Sequence, residues 1–362
     1  MANLKVEFAG IKLDNPVMPA AGPPIKDAKA AKKAKEGGTG AIVTKTISTT
    51  AAKVPRPNMA KIKGGFMNTE LWSELTPEHW LEEEYPKIKK LGLPVIAGIG
   101  YTKDQIRELA KKVEKYADAL ELSTHYLGDD TTPMEESIKA AKDEVDIPVF
   151  VKLSPQIDIP EFAQAAEKAG ADGIVLINSF GPTLDIDPKT GKPLMGSENG
   201  YGWLSGPAIF PLALRAVYQA ANNVDIPILG VGGIDSGVKA AKMFMAGASA
   251  VQVCTEAIVN GPRVYDKINK ELNEFLDKNG YSSVNDIKGL TSKVMQKEAN
   301  FNTVVPTVIE KNCTTCGLCV TSCVYEAISY NETKDYIIID DAKCAGCGLC
   351  LTRCNFGALK LE

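Results

Sequence analysis

The sequence predicts a (β/α)8 barrel followed by a small cysteine-rich α+β domain. Eight short apolar runs alternate with amphipathic segments over roughly the first 250 residues, which matches the usual size of such a barrel. Eight of the nine cysteines then lie between Cys313 and Cys354. A long cysteine-poor region before a dense cysteine tail predicts two domains with different chemistry.

The eight runs are continuous rather than alternating, as expected of parallel strands buried on both faces. They are NPVMPAA (15–21), GAIVTKT (40–46), PVIAGIG (94–100), ADALELS (117–123), IPVFVKL (147–153), DGIVLIN (172–178), IPILGVGG (226–233) and SAVQVCT (249–255). An open doubly wound sheet is the alternative fold. In both folds ligands lie at the carboxyl ends of the strands.

The segments between the runs are rich in Ala, Lys and Glu, and several end in Gly, which is a helix-stop signal. Examples are KDAKAAKKAKEG (26–37), IRELAKKVEKYA (106–117) and IPEFAQAAEKAGA (159–171). A last helical segment, 262–280, closes the barrel region. We therefore predict a barrel over 1–280, a polar connector over 281–308 and a separate domain over 309–362.

Composition and charge favour a soluble globular protein. The chain is 44% hydrophobic and 24% charged, and it has no apolar run of about 18 residues that would suggest a membrane span. A formal net charge of −4 gives no reason to expect nucleic-acid binding. The first residues lack the apolar core of a signal peptide. We expect a cytoplasmic protein.

The cysteine tail contains two runs of the form C-x2-C-x2-C-x3-C, at 313–323 and 344–354. This spacing is that of bacterial ferredoxins with two 4Fe–4S clusters, in which the fourth cysteine of each run binds the other cluster. We expect one cluster on Cys313, Cys316, Cys319 and Cys354, and a second on Cys344, Cys347, Cys350 and Cys323. Zinc is the competing interpretation, but two zinc sites would not require this duplicated spacing.

Clusters carry single electrons, so the barrel needs a redox group of its own, and a flavin can handle both hydride and single electrons. The stretch ILGVGG at 228–233 places Gly232 and Gly233 at the end of the seventh run, and Cys254 and Thr255 end the eighth. The loops after these two strands form the phosphate site of many barrels. Alternatively, the glycines only form tight turns.

The chain resembles the dihydroorotate dehydrogenase and dihydropyrimidine dehydrogenase family over nearly its whole length. The resemblance rests on the ferredoxin repeat and on VTKTIS, NTELWSE, VFVKLSP, INS, SGPAIFPLALR and ILGVGGIDS. It implies an FMN-binding barrel, two 4Fe–4S clusters and a small unsaturated substrate. It also implies a ferredoxin or a separate subunit as electron donor, and a homodimer.

The resemblance implies the site residues. Those placed around FMN are Ala20, Ala21, Gly22, Lys45, Thr46, Lys152, Asn178, Ser205, Gly206, Gly232, Gly233, Cys254 and Thr255. Those placed at the substrate are Asn68, Asn178 and Ser179. A lysine beside the ring has a physical reason, since it stabilises the charge of the reduced flavin. Helix capping is the alternative role for the asparagines.

The segment after the fourth strand departs from the family pattern Asn-Leu-Ser-Cys-Pro. Here Glu121 replaces the substrate-binding Asn and Thr124 replaces the proton-donating Cys. A threonine hydroxyl is a weak acid and needs a base or water chain, so His125, Tyr126 or Glu121 could take part. His125 could instead serve only the loop. Thr124, Glu121, His125 and Lys45 are the predicted catalytic residues.

A carboxylate in place of the Asn would repel orotate, so we expect a changed substrate. The predicted activity is an FMN and iron–sulfur oxidoreductase that acts on a CH–CH bond. Two alternatives are a dihydropyrimidine dehydrogenase subunit that reduces uracil or thymine, and a non-catalytic electron-transfer subunit.

Overall fold

The computed structural model describes residues 2–123 and 125–361. The chain forms two compact units, one reaching Met295 and the other starting at Gln296. The first unit extends beyond residue 280 because two apolar residues of the predicted connector, Val284 and Ile287, are fully buried in it. The Val284 N–H also donates to the Asn3 carbonyl at 3.0 Å, which ties this segment to the start of the chain.

The first unit contains fourteen strands among its described residues. They are β1 Val6–Phe8, β2 Ile11–Leu13, β3 Val17–Pro19, β4 Ile42–Val43, β5 Met59–Ile62, β6 Gly65–Asn68, β7 Val95–Ile99, β8 Ala119–Leu122, β9 Val149–Leu153, β10 Gly173–Leu176, β11 Phe180–Thr183, β12 Gly202–Ser205, β13 Ile228–Val231 and β14 Ala250–Val253. Eight of them form a parallel sheet in the order β3-β14-β13-β10-β9-β8-β7-β4.

This sheet is a nearly closed barrel. Each of its strands falls inside one of the eight predicted runs, and almost every strand residue is buried on both faces, as their continuous apolar character requires. The two end strands approach each other, since the N–H of Gly40, just before β4, donates to the Val17 carbonyl of β3 at 2.9 Å. The predicted barrel is confirmed, and the open-sheet alternative is excluded.

Helices connect and cover the barrel strands. They are α1 Ala28–Glu36, α2 Pro77–His79, α3 Tyr85–Lys89, α4 Lys103–Glu114, α5 Thr132–Lys142, α6 Ile159–Lys168, α7 Phe210–Ala221, α8 Gly237–Ala246, α9 Thr255–Asn260, α10 Val264–Lys278 and α11 Leu290–Val294. Shorter turns of helix occupy 23–25, 80–84, 198–200, 207–209 and 284–287. Polar caps start several helices: Thr102 and Gln105, for example, form a reciprocal capping box on α4.

Two small antiparallel sheets complete the first unit. One is the β1–β2 hairpin. The other has the order β11-β12-β6-β5 and is formed by insertions that follow β4 and β10. This second sheet matters for the site, because β6 and β12 bring Asn68 and Trp203 opposite each other.

The second unit is a small α+β domain with internal duplication. It contains β15 Thr307–Val308, α12 Leu318–Ser322, β16 Ile328–Tyr330, β17 Ile337–Ile339, α13 Leu349–Arg353 and β18 Leu359–Lys360, with a turn of helix at 310–312. β15 pairs with β18 and β16 pairs with β17. Each short helix starts after a left-handed glycine, Gly317 (φ 73°) or Gly348 (φ 76°). Among the described residues, no helix in either unit has the length and apolar character to cross a membrane.

Candidate active site and cysteine cavities

A deep cavity opens at the carboxyl ends of the barrel strands. The empty space within it, including its open mouth, is about 1160 Å³. Each of the eight barrel strands contributes to its wall, seven of them through residues that follow the strand and β9 through Lys152 near its end. The predicted site residues on this wall are Ala20, Ala21, Gly22, Lys45, Thr46, Asn68, His125, Lys152, Asn178, Ser179, Ser205, Gly206, Gly232, Gly233, Cys254 and Thr255. One cavity therefore collects residues that are far apart in the sequence.

Three glycines form a concave backbone surface on one side of the cavity. Gly206, Gly232 and Gly233 have φ values of 81°, 127° and 70°, which side chains rarely tolerate. A Cβ at Gly233 would lie 2.7 Å from the Gly206 carbonyl oxygen. Beside them, the hydroxyls of Ser205 and Thr255 are 2.8 Å apart. Such a surface suits a phosphate group, which needs close backbone approach and hydroxyl donors.

The first cavity lysine, Lys45, is paired with a carboxylate. Its ammonium contacts Glu70, and Asn58 donates to the other oxygen of the same carboxylate. The Lys45 and Glu70 side chains are 7% and 10% exposed, so water screens this pair weakly. Glu70 lines the cavity, as Asp235 and Glu256 also do, so its carboxylate can reach a bound molecule.

Glu121 lies elsewhere than the sequence predicted. Its side chain is 0% exposed, and it lies behind the cavity wall, inside the barrel. One oxygen accepts from the Lys152 ammonium at 3.2 Å and from the Ser123 hydroxyl at 3.4 Å, and the other accepts from the Gln252 amide at 2.7 Å. The Glu121 side chain therefore has no face on the cavity, because the barrel closes around it, and its catalytic role stays a prediction.

The loop after β8 brings His125 to the cavity. Thr124, the predicted proton donor, lies outside the described residues. His125 has a left-handed backbone (φ 53°), and its ring meets the edge of Trp203 with centroids 4.9 Å apart. Burial, together with the positive charge of Lys152, lowers the pKa of His125 to about 4. The imidazole is therefore neutral near pH 7, and its Nδ1 has no hydrogen-bond partner among the described residues.

The predicted substrate amides are partly engaged within the protein. Asn68 donates to the Trp203 carbonyl at 3.2 Å and accepts from the Glu70 N–H at 3.1 Å, so it fixes the backbone around Glu70. The Asn178 side-chain oxygen accepts from the Ser179 N–H at 2.8 Å. Both lie on the cavity wall, and their roles toward a ligand stay predictions.

Cys254 is the one cysteine outside the tail. It lines the cavity, and burial raises the pKa of its thiol to about 11. The thiol is therefore protonated at neutral pH. A Cβ on Gly22 would lie 3.5 Å from its sulfur, which is ordinary packing distance. This environment agrees with a small packed residue rather than a reactive thiolate.

The eight tail cysteines line two cavities, and each cavity takes cysteines from both runs. The first cysteine cavity, of about 340 Å³, is lined by Cys313, Cys316, Cys319 and Cys354. The second, of about 400 Å³, is lined by Cys323, Cys344, Cys347 and Cys350, and Cys319 also reaches it. This grouping follows the one that the spacing predicts, except that Cys319 reaches both cavities, and all eight thiols are free; the assignment of ligands to two clusters stays a prediction. The donor sets therefore fit iron–sulfur clusters.

The two crossing cysteines have equivalent surroundings. The Ala327 N–H donates to the Cys323 sulfur at 3.4 Å, and the Ala358 N–H donates to the Cys354 sulfur at 3.3 Å. Hydrogen bonds of this kind help to set the potential of a bound cluster.

Sequence reasoning missed several residues of the barrel site. Asn58 and Glu70 were not singled out, although NTELWSE contains Glu70. Gln252 was also missed, and it carried a signal: it is a polar residue within the apolar run SAVQVCT. Trp203 lies in an insertion whose position only the fold reveals.

Comparison with known proteins identifies two regions. A family profile described as dihydroorotate dehydrogenase matches residues 3–276, and one described as a 4Fe-4S dicluster domain matches residues 312–358. Curated relatives named dihydroorotate dehydrogenase B (NAD(+)), catalytic subunit, are similar to this chain. The relative from Methanothermobacter thermautotrophicus is 38% identical over 300 residues, covering 79% of this chain and 98% of the relative.

Two further relatives with the same name show similar identity and coverage. The one from Pyrococcus abyssi is 36% identical over 303 residues, covering 80% of this chain and 100% of the relative. The one from Caldicellulosiruptor saccharolyticus is 36% identical over 299 residues, covering 79% of this chain and 98% of the relative. The relatives are thus covered almost completely, while about a fifth of this chain lies outside each alignment.

Proposed function

Since this chain belongs to the dihydroorotate dehydrogenase family and carries a 4Fe-4S dicluster domain, we propose that it is an FMN-dependent oxidoreductase acting on a CH–CH bond. In this proposal two 4Fe–4S clusters, one in each cysteine cavity, exchange electrons with the flavin. A ferredoxin or a separate subunit supplies or removes the electrons, and the chain forms a homodimer.

The observation that carries the proposal is the barrel cavity. It combines the concave surface of Gly206, Gly232 and Gly233 with two lysines near the strand ends, Lys45 and Lys152. The glycine surface and the Ser205 and Thr255 hydroxyls would hold the phosphate of FMN. Ala20, Ala21 and Gly22, which line the cavity, would lie beside the flavin ring. When bound, the flavin supplies hydride transfer and single-electron exchange.

The protein's own part in the reaction is to bind, orient and move a proton. Lys152 reaches the cavity from β9 and places a donor where the flavin ring would lie. His125 presents a neutral imidazole with an unpartnered Nδ1, which can accept or relay a proton. Thr124, next in the chain, would donate through its hydroxyl. The neutral imidazole of His125 would relay a replacement proton to the threonine oxygen, accepting one on one ring nitrogen and giving up the one on the other, because a threonine alone is too weak an acid.

The charges of the cavity favour an uncharged substrate. Lys45 is paired with Glu70 and Lys152 with Glu121, so neither lysine is a free cation for a substrate carboxylate. Glu70 offers a carboxylate acceptor to a bound ring, and Lys45 and Asn58 hold it in place. A cyclic amide or imide with N–H donors meets this acceptor well, whereas the carboxylate of an anionic substrate finds neither Lys45 nor Lys152 unpaired.

This charge arrangement also favours the second candidate, a dihydropyrimidine dehydrogenase, because uracil and thymine are uncharged imides. The relatives are named for dihydroorotate, which carries a carboxylate. We therefore place the substrate of this chain among uncharged unsaturated cyclic amides, with uracil and thymine as the first compounds to test.

The test is anaerobic purification followed by cofactor analysis and a substrate screen. We expect one FMN and about eight iron atoms per chain, as two four-iron clusters require. Flavin reduced by viologen should be reoxidised by uracil, thymine or an unsaturated hydantoin, but only weakly by orotate. Glu70→Gln should narrow the difference between the rates at which orotate and uracil reoxidise the flavin. Glu74→Gln, at an exposed pair with Arg56, is the matched control.

Each possible result of this test bears on a different hypothesis. Absence of both FMN and iron would refute the proposal. Faster reoxidation by orotate than by any uncharged compound would refute the substrate assignment only. Cofactors that are present and reducible, with no reoxidation by any unsaturated compound, would favour a non-catalytic electron-transfer subunit.

A further inference from the structure

The buried carboxylate of Glu121 lies beneath the floor of the barrel cavity. Three side chains among the described residues donate hydrogen bonds to it. Lys152, Gln252 and Ser123 line the cavity, and each of them donates to Glu121 behind it. The Glu121 side chain is 0% exposed and that of Lys152 is 6% exposed. Because so little water reaches the pair, the two charges act on each other and on the cavity with little screening.

The barrel geometry fixes Glu121 in this place. Lys152 comes from β9, the strand next to β8, whereas Gln252 comes from β14, four strands away around the eight-stranded sheet and thus opposite. The Gln252 amide therefore reaches across the barrel to hold the carboxylate at 2.7 Å. Contacts from two sides of the barrel keep the carboxylate against Lys152 instead of letting it turn toward the cavity.

The pair has a consequence for any group that gains negative charge in the cavity. An unpaired Lys152 would stabilise such a charge as a single positive ion. With Glu121 at 3.2 Å, the lysine and the carboxylate together have no net charge, and their combined field falls off more steeply with distance. The carboxylate thus removes most of the stabilisation that the lysine would otherwise give.

We propose that Glu121 is a positioning residue that makes the bound flavin a stronger reductant by neutralising Lys152. This inference rests on FMN binding as proposed above. A flavin gains negative charge on reduction, so compensation of the nearby cation makes its reduction potential more negative. The enzyme is thereby poised to reduce an activated C=C bond with electrons from the clusters, rather than to form one.

The experiment is a redox titration of FMN in the intact purified protein, followed by flavin absorbance with a reference dye. Glu121→Gln keeps the size of the side chain and removes its charge. It should shift the equilibrium between oxidised and reduced flavin at least tenfold toward the reduced form, which corresponds to about 30 mV for a two-electron couple. Glu108→Gln, at an exposed pair with Lys112, removes the same charge from the surface and should leave the potential unchanged.

Two more variants separate charge from structure. Lys152→Gln leaves Glu121 uncompensated and should shift the flavin toward its oxidised form. The double variant Glu121→Gln with Lys152→Gln restores a neutral floor and should return the potential close to that of the wild type. A residue that only supports the fold would not produce this order of potentials.

The outcomes distinguish failure of this inference from failure of the proposed function. A wild-type protein without FMN refutes the proposed function and this inference with it. If FMN binds but Glu121→Gln leaves its potential unchanged or makes it more negative, the inference is overturned while the function stands. If Glu121→Gln does not fold, equal potentials in Lys152→Gln and the double variant overturn it, and recovery in the double variant supports it.

Discussion

Replacing Lys152 by Met should strongly destabilise the barrel, because it leaves the Glu121 charge buried without its partner. At 3.2 Å and an effective dielectric constant of about 20, the attraction between the two charges is about 5 kcal/mol. Removing one member of a buried pair typically destabilises a protein by about 3–5 kcal/mol. We expect Lys152→Met to lower the free energy of unfolding by an amount in this range. Adding Glu121→Leu removes the unpaired buried charge and should reduce the loss to about 1 kcal/mol.

The measurement is urea unfolding followed by tryptophan fluorescence. Trp72, Trp80 and Trp203 are the three tryptophans of the chain, and all lie in the first unit, so the signal reports barrel unfolding. Flavin is removed from every sample beforehand, since loss of cofactor binding would also lower the apparent stability.

The control is Lys112→Met, which breaks a pair of similar length, 2.9 Å to Glu108, on the surface of α4. Exposed pairs contribute about 0–1 kcal/mol. If Lys152→Met costs no more than this control, the carboxylate behind the cavity does not carry the charge assigned to it. The reasoning about the Glu121 pair would then be refuted.

Three further predictions concern the loop histidine, the glycine surface and the cysteine cavities. The unfolded state takes up a proton on His125 near pH 6.5 and the folded state only near pH 4, so the free energy of unfolding should fall as pH drops through this window. The wild type should lose about 2 kcal/mol between pH 7 and pH 5 relative to His125→Asn in urea unfolding, and parallel pH profiles would contradict this. Gly233→Ala should lose FMN on gel filtration because its Cβ would lie 2.7 Å from a carbonyl oxygen, whereas Gly191→Ala, with the same φ of 70° and open space around it, should retain the flavin. Cys347→Ser should lower the iron content from about eight toward about four atoms per chain, and Cys254→Ser should not change it; equal iron in both variants would argue against the second cysteine cavity as a cluster site.

The barrel could be predicted from the sequence because continuous apolar runs identify strands that are buried on both faces. Their carboxyl ends had to meet, so Lys45, Lys152 and the glycines could be placed at one site without coordinates. The grouping of cysteines across the two runs also followed from spacing alone, and the two cysteine cavities are lined in that grouping.

The direction in which Glu121 points could not be predicted in the same way. A family pattern with Asn in this position suggested a side chain at the substrate. In the structure the Glu121 carboxylate accepts instead from two buried donors, the Lys152 ammonium and the Gln252 amide. Gln252 lies on the opposite side of the barrel. The contact between Glu121 and Gln252 forms only because the sheet closes into a barrel, and no local sequence pattern encodes that closure. Glu70 was not predicted because its partners, Lys45 and Asn58, lie 25 and 12 residues earlier in the chain, before the β5–β6 hairpin.

The crossed arrangement of the cysteines has a consequence for biosynthesis. A chain emerging from the ribosome presents Cys313, Cys316 and Cys319 early, but their fourth companion, Cys354, comes 31 residues after Cys323 has appeared. The second cysteine cavity is complete as soon as Cys350 is made. The run that is synthesised first therefore contributes most of the cysteines of the cavity that is finished last, and a stop codon or proteolysis between Cys350 and Cys354 would remove Cys354 from the first cysteine cavity while leaving the cysteines of the second in place.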